Sequence, residues 1–264
     1  MIDFERTGAR DGEPLVLLHG IGGERCVWEA VLEPLGERFD VYAIDLPGFG
    51  RSPALPADVT PTPQALALEV GRFLDAQGLD RAHLAGNSLG GWIALELGKL
   101  GRARSVTGLC PAGLWGRPLL PAGSMVRGRA HRVVRRLRPV VPVALLSRRA
   151  RRLALSPFVA DPDKVPYRAA WRMISSYGRS TAYDATSNAM RQSFFEDPSA
   201  IDVPVTLAFG EADRLIRPAR IDQAGARTVL LPGCGHIPMW DDPGLVVEVI
   251  EQTASAAHAA RSAA

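Results

Sequence analysis

Short apolar runs alternate with helically spaced stretches along most of this chain, and that alternation narrows the choice of fold more than any other feature. A run such as 14–19 (PLVLLH) has no polar face to turn to water. It must be covered on both sides, as a parallel sheet between two layers of helices is. Further runs occupy 41–46 (VYAIDL), 82–87 (AHLAGN), 105–110 (SVTGLC), 203–210 (VPVTLAFG) and 227–232 (RTVLLP). Between them, 61–78 carries helical apolar spacing at Leu66, Val70, Phe73 and Leu74 and stops at Gly78, residues 89–100 form a second helix, and 243–254 form an amphipathic closing helix. The Ala-rich tail from Ser255 to Ala264 reads as frayed. The predicted class is α/β, a doubly wound and mostly parallel sheet.

The alternation breaks once. From Pro111 the chain turns to proline, glycine and arginine clusters mixed with helical fragments, and the strand and helix grammar returns only near Asp197. This predicts a core domain built from 1–110 and 197–264, with a helical cap or lid inserted at 111–196. A chain of 264 residues, 47% of them hydrophobic, is long enough for one large core with such a subdomain on it. Charge follows the same division: between Pro111 and Phe195 there are 16 basic residues against three acidic ones, whereas the remainder holds 15 against 25. From Arg117 to Arg152 there are 11 arginines and no acid. That run is either a solvated helical face or an attractor for an anionic substrate, an acidic protein or a membrane surface. Apolar residues among the arginines, such as Val133, Leu137 and Val140, allow a surface-binding or substrate-entry helix. No recognition motif accompanies the charge, which argues against nucleic acid.

The start, Met1-Ile2-Asp3-Phe4-Glu5-Arg6, lacks the order of a signal peptide, and no apolar run approaches the roughly 20 residues that cross a bilayer. A cytoplasmic location without stable membrane insertion is expected. Cys26, Cys110 and Cys234 are spaced too widely for a disulfide framework or a zinc site and read as reduced thiols. Cys234, two residues before a candidate base, is either a packing residue or a thiol near the pocket.

Chemistry concentrates where 82–87 becomes the next helix, in Gly86-Asn87-Ser88-Leu89-Gly90-Gly91. A serine in a tight strand-to-helix turn takes a strained backbone conformation, and Gly86 and Gly90 remove side chains that would collide with it. The hydroxyl then stands above the sheet edge, with helix N-terminal amides beside it. A hydroxyl needs a base. Of five histidines, His236 lies on a loop after the last predicted strand, on the same edge as Ser88; His83 falls inside a strand, His131 in the insertion and His258 in the tail. The base needs a carboxylate, which Asp213 supplies directly after the penultimate strand, with Glu211 as an alternative two residues away. His19-Gly20-Ile21-Gly22-Gly23 ends the first long run. Its glycine spacing and the absence of a following lysine do not suit phosphate cradling. It suits an oxyanion loop in which the amide of Ile21 joins that of Leu89, while His19 pins the loop.

These segments resemble the α/β-hydrolase superfamily: 19–23; Asp45-Leu46-Pro47-Gly48-Phe49-Gly50-Arg51-Ser52; 86–91; and the pair Asp213 and His236. The resemblance implies a serine-nucleophile, cap-bearing hydrolase with the order Ser88, Asp213, His236 and with 111–196 as the cap. An aspartate at the nucleophile position marks haloalkane dehalogenases and epoxide hydrolases in that family, so Ser88 disfavours both chemistries. The Gly-Asn-Ser-x-Gly-Gly form also resembles C–C bond hydrolases, but the Gly-Pro-Gly of their first loop is missing and Ile237 stands where an aromatic residue often follows the base. The family usually has one more strand before residues 2–5, so the first sheet edge is expected to be short. The expected activity is cleavage of an ester-type bond in a small, largely apolar substrate through an acyl-enzyme, without metal or organic cofactor. A C–C hydrolase, thioesterase or lactonase would use the same triad, and a non-catalytic ligand-binding homologue is the remaining alternative.

Overall fold

The computed structural model describes residues 1–218 and 226–262. Among them seven strands make one sheet: β1 Phe4–Gly8, β2 Glu13–Leu18, β3 Phe39–Ile44, β4 Ala82–Asn87, β5 Ala103–Leu109, β6 Val205–Gly210 and β7 Arg227–Leu231. The spatial order is β1-β3-β2-β4-β5-β6-β7. β1 pairs antiparallel with β3 and the other pairings are parallel. The antiparallel edge was not legible as a pairing, because FERTG has no apolar run. It is a short, half-exposed edge strand, held in part by Arg6, whose Nε donates to Asp40 Oδ1 at 2.8 Å.

The inner strands are buried on both faces, and the pleat decides which residue goes where. Val16, Leu18, Tyr42 and Ile44 meet α2 (Pro63–Ala76) and α3 (Leu89–Lys99) through Leu66, Val70, Trp92 and Ile93. Their neighbours Leu15, Leu17, Val41 and Ala43 point the other way, toward Val31 and Leu35 of α1 (Glu29–Gly36) and toward Val246 and Ile250 of a long C-terminal helix. α2 begins with Thr62 accepting the Ala65 amide at 3.1 Å and Pro63 in the first turn, where its missing N–H costs nothing. α1, between β2 and β3, was not anticipated.

Five helices lie between β5 and β6: α4 Arg129–Leu137, α5 Val141–Ala144, α6 Arg148–Leu155, α7 Tyr167–Arg179 and α8 Tyr183–Arg191. They rest against loops that follow strands. The Tyr177 and Tyr183 rings cover Gly22 after β2, Ala182 covers Gly48 after β3, and the backbone of 158–160 lies against Gly235 after β7. Arg179 Nη2 reaches Glu24 Oε2 at 2.9 Å, and Arg172 pairs with Glu29.

After β7 come α9 (Pro238–Asp241) and α10 (Pro243–Ser262). The tail expected to fray from Ser255 is instead helical to Ser262, with Ala257 buried and the His258 ring tilted against that of His83, their centres 6.0 Å apart. Alanine is the strongest helix former, and here a face of the helix also has something to pack on. The last two residues of that tail lie outside the described residues. No described helix is long and apolar enough to cross a membrane.

Candidate active site

Ser88 is the hinge between β4 and α3. Its φ of 55° and ψ of −115° fall where a residue with a side chain rarely goes, at a typical cost of about 1–3 kcal/mol. The turn is held there by its own backbone: the Ser88 amide donates to Leu109 O at 2.9 Å, and Ser88 O accepts the amides of Ala112 and Trp92 at 3.0 and 3.2 Å. The two flanking glycines are sterically required. A Cβ on Gly86 would sit 2.2 Å from Gly90 O, and one on Gly90 would sit 2.1 Å from Leu18 O.

His236 follows β7, and its Nδ1 donates to Asp213 Oδ2 at 2.8 Å. The other Asp213 oxygen accepts the amides of Leu215 and Ile216 at 2.7 and 3.1 Å. Burial works against ionisation of Asp213, but His236 and those two amides outweigh it and hold the carboxyl below its usual range. Glu211, the alternative partner, is turned away and accepts the Gly233 amide at 3.0 Å. Asn87, next to Ser88, donates from Nδ2 to His236 O at 2.8 Å and to Leu109 O at 3.1 Å, so the serine turn and the histidine loop share one hydrogen-bonded rim. Ser88 is itself nearly buried, and its hydroxyl has no hydrogen-bond partner among the described residues.

The 19–23 loop lies against that turn: a side chain on Gly20 would come 3.2 Å from Ser88 Cβ. The amide of Leu89 opens α3 and has no intrahelical acceptor, and that of Ile21 has none among the described residues. His19 sits beneath. Its Nδ1 donates to Gly20 O at 2.7 Å and its Nε2 accepts the Leu46 amide at 2.9 Å, which fixes a neutral tautomer. The loop after β3 is locked in turn by Asp45, which accepts the Arg25 amide at 2.8 Å, the Arg25 guanidinium at 2.7 Å and the Arg51 amide at 2.9 Å.

Burial lowers the pKa of His19, and the same cause lowers that of His83, against opposing hydrogen bonds and nearby carboxylates. A histidine with a depressed folded pKa binds fewer protons folded than unfolded. Its contribution is full above about pH 6.5 and is lost as acid protonates the unfolded chain. The urea midpoint should therefore be lower at about pH 5.5 than at about pH 7.5, and equal midpoints would contradict this placement.

Three supporting residues escaped the sequence reading. Asn87 was inside the motif, but nothing in a single sequence says that its amide ties the histidine loop. Asp241 is buried and accepts the amides of Gly235 at 2.7 Å, Ala160 at 2.9 Å and Asp161 at 3.0 Å, binding the His236 loop to the 111–196 segment. Cys110 follows β5 with φ 47° and lies within 4.8 Å of the ligand-type atoms of Asp213 and His236. A thiol, a carboxylate and an imidazole could together suggest a metal site. The carboxylate, however, is committed to His236 and two amides, and the thiol is engaged by the backbone, donating to Gly235 O at 3.7 Å and accepting the Gly210 amide at 3.4 Å; burial beside Asp213 pushes it well above its usual range. Cys234 packs in the core under α10, and burial pushes its thiol up to about 11.

Residues 15–249 match the profile of the alpha/beta hydrolase family. An epoxide hydrolase of Mycobacterium tuberculosis, EphH, is 36% identical over 200 residues, spanning 70% of this chain and 91% of its own. A pimeloyl-[acyl-carrier protein] methyl ester esterase of Aeromonas hydrophila is 28% identical over 260 residues, spanning 95% and 98%. Among solved structures, a thermophilic esterase from Thermogutta terrifontis superposes with a TM-score of 0.71 at 22% identity, covering 97% of this chain and 94% of that one, a likeness of fold.

Proposed function

The chain belongs to the alpha/beta hydrolase family, and from that premise we propose that it is a serine hydrolase that cleaves an ester bond in a small, largely apolar substrate through an acyl-enzyme. The observation that carries this reading is the 2.8 Å bond from His236 Nδ1 to Asp213, on a loop tied by Asn87 to the Ser88 turn. With its proton on Nδ1, the imidazole keeps a free lone pair on Nε2 and can act as a base. In the proposed cycle Nε2 takes the Ser88 proton as Oγ attacks the carbonyl carbon, and the amides of Ile21 and Leu89 receive the oxyanion. Asp213 stabilises the imidazolium, which returns its proton to the leaving alcohol. Water repeats the two steps and releases the acid.

One relative is named an epoxide hydrolase, and the chemistry of Ser88 argues against that reaction here. An alkoxide that opens an epoxide makes an ether. An ether offers no carbonyl for water to attack, so the enzyme would be alkylated once and stop. An ester or similar carbonyl compound leaves an acyl group on Oγ that water can remove. The methyl ester esterase, aligned over 95% of this chain, is a relative whose name fits that requirement.

The proposal includes 111–196 as a cap over the core formed by 1–110 and 197–264. Its support is the seating of Tyr177 and Tyr183 on Gly22, beside Ile21, and the contact of 158–160 with Gly235, beside His236. These rings favour an apolar substrate. The test is a fluorophosphonate probe: it should label Ser88 and stop hydrolysis of short acyl esters in parallel, while styrene oxide is not turned over. Ester hydrolysis that survives complete labelling would end the proposal.

A further inference from the structure

The arginines of the 111–196 segment differ in what they face. Two on α7 reach acids of the sheet domain, Arg179 pairing with Glu24 and Arg172 with Glu29. The 11 between Arg117 and Arg152 face no such partner. Among the described residues, Arg152 pairs with Asp163 and Arg151 donates to the carbonyls of Leu145 and Leu146; the side chains of the other nine make no ion pair or hydrogen bond. No acidic side chain lies in that stretch to neutralise them.

The same stretch exposes aliphatic side chains. α4 has an inner side, where His131 is buried against Tyr177 and Tyr183 and where Val134 and the stem of Arg138 lie on Gly178. Its other side carries Val133, Leu137 and, one turn on, Val140, each at least half exposed and spaced to share one face. α5, the turn after it and α6 extend the pattern with Val143, Leu146 and Leu153, the last exposed to 79%. Exposed apolar residues interspersed with unpaired arginines along one stretch form the pattern of an element that lies in a lipid interface: guanidinium groups meet anionic headgroups while aliphatic chains enter the acyl boundary.

We propose that the outer surface of α4, α5 and α6 docks this protein on an anionic phospholipid bilayer. A fluid surface accepts aliphatic groups spread over three short helices without the shape match that a folded protein partner requires. The docked side is the outer face of α4, the helix whose inner face holds His131 against the two tyrosines over Gly22. This inference concerns binding and does not depend on the ester reading.

The test uses the full chain and vesicles of phosphatidylcholine with or without phosphatidylglycerol, at near-physiological ionic strength. Sedimentation with vesicles should rise at least about tenfold when phosphatidylglycerol is present. The triple variant Val133→Ser, Leu137→Ser, Leu153→Ser keeps every charge and changes only exposed positions, so its hydrolysis of a soluble ester should be unchanged. Its vesicle binding should fall by about tenfold or more. All three native cysteines are buried, so Leu137→Cys gives one accessible thiol for a polarity-sensitive dye, which should shift to the blue on anionic vesicles. Equal sedimentation with both lipids, unchanged binding of the triple variant, an unmoved dye, or tighter binding to an acidic polypeptide than to the vesicles would each overturn the proposal.

Discussion

Ser88→Ala is expected to lower the turnover of a short acyl ester by about 10⁴-fold or more while leaving the folded structure in place. The size of the effect follows from a single bond: without Oγ there is no acyl-enzyme, and His236 can at best activate a water from a position shaped for another atom. The fold should survive because the Ser88 side chain supports nothing; the turn is held by backbone bonds to Leu109, Ala112 and Trp92. Ser88→Gly should go further in one respect. It removes the Cβ from a residue at φ 55°, and the relief of strain should raise stability by about 1 kcal/mol, or roughly 2–4 °C in Tm, in a protein equally inactive. Steady-state kinetics and thermal unfolding on the same preparations check both halves. A residual activity within tenfold of the parent would show that another group is the nucleophile.

Asp213→Asn is expected to cost nearly as much, about 10⁴-fold in kcat, and Glu211→Gln almost nothing. The carboxylate accepts the Nδ1 proton and so keeps it off Nε2. An amide of the same shape can present its own N–H to Nδ1, which moves the ring proton to Nε2 and removes the base. The two roles of Asp213 also separate in this variant, since one oxygen can still accept the Leu215 and Ile216 amides. The loop should therefore hold while catalysis fails. Glu211 carries only the Gly233 amide, so neutralising it leaves the histidine untouched. Equal losses in the two variants would mean that the acid has been misassigned.

The sheet was readable because its inner strands are apolar on both faces. Residues 82–87 were predicted as a strand with the bounds observed, and 14–19, 41–46 and 105–110 differ from β2, β3 and β5 only at their ends. β1 was harder, since an edge strand in contact with water need not be an apolar run, and FERTG spells little on its own. The tail was misread because alanine and polar residues say nothing about a tertiary partner, and the wall formed by His83 and Glu13 that α10 meets comes from elsewhere in the chain. At the candidate site, Ser88, Asp213 and His236 could be named because each sits just beyond a strand end, where the sheet makes residues distant in sequence into neighbours. The choice between Asp213 and Glu211 could not be made from spacing; it depends on which carboxylate faces the imidazole. Asp241 and Cys110 gave no signal at all, because both act through the backbone: one accepts the amides of Gly235 and Ala160, and the other accepts the Gly210 amide and donates to Gly235 O.

A hydroxyl, an imidazole and a carboxylate that work together as proposed must pass through an acyl-enzyme on Ser88. The most direct test is to mix the protein with p-nitrophenyl acetate, quench in acid within the first turnover, and weigh the intact chain and its peptides. One added acetyl group is expected on the peptide that holds Ser88, absent in Ser88→Ala and lost again on longer incubation. Nitrophenol release at the full rate with no acylated chain, or with the acyl group on a different residue, would contradict it.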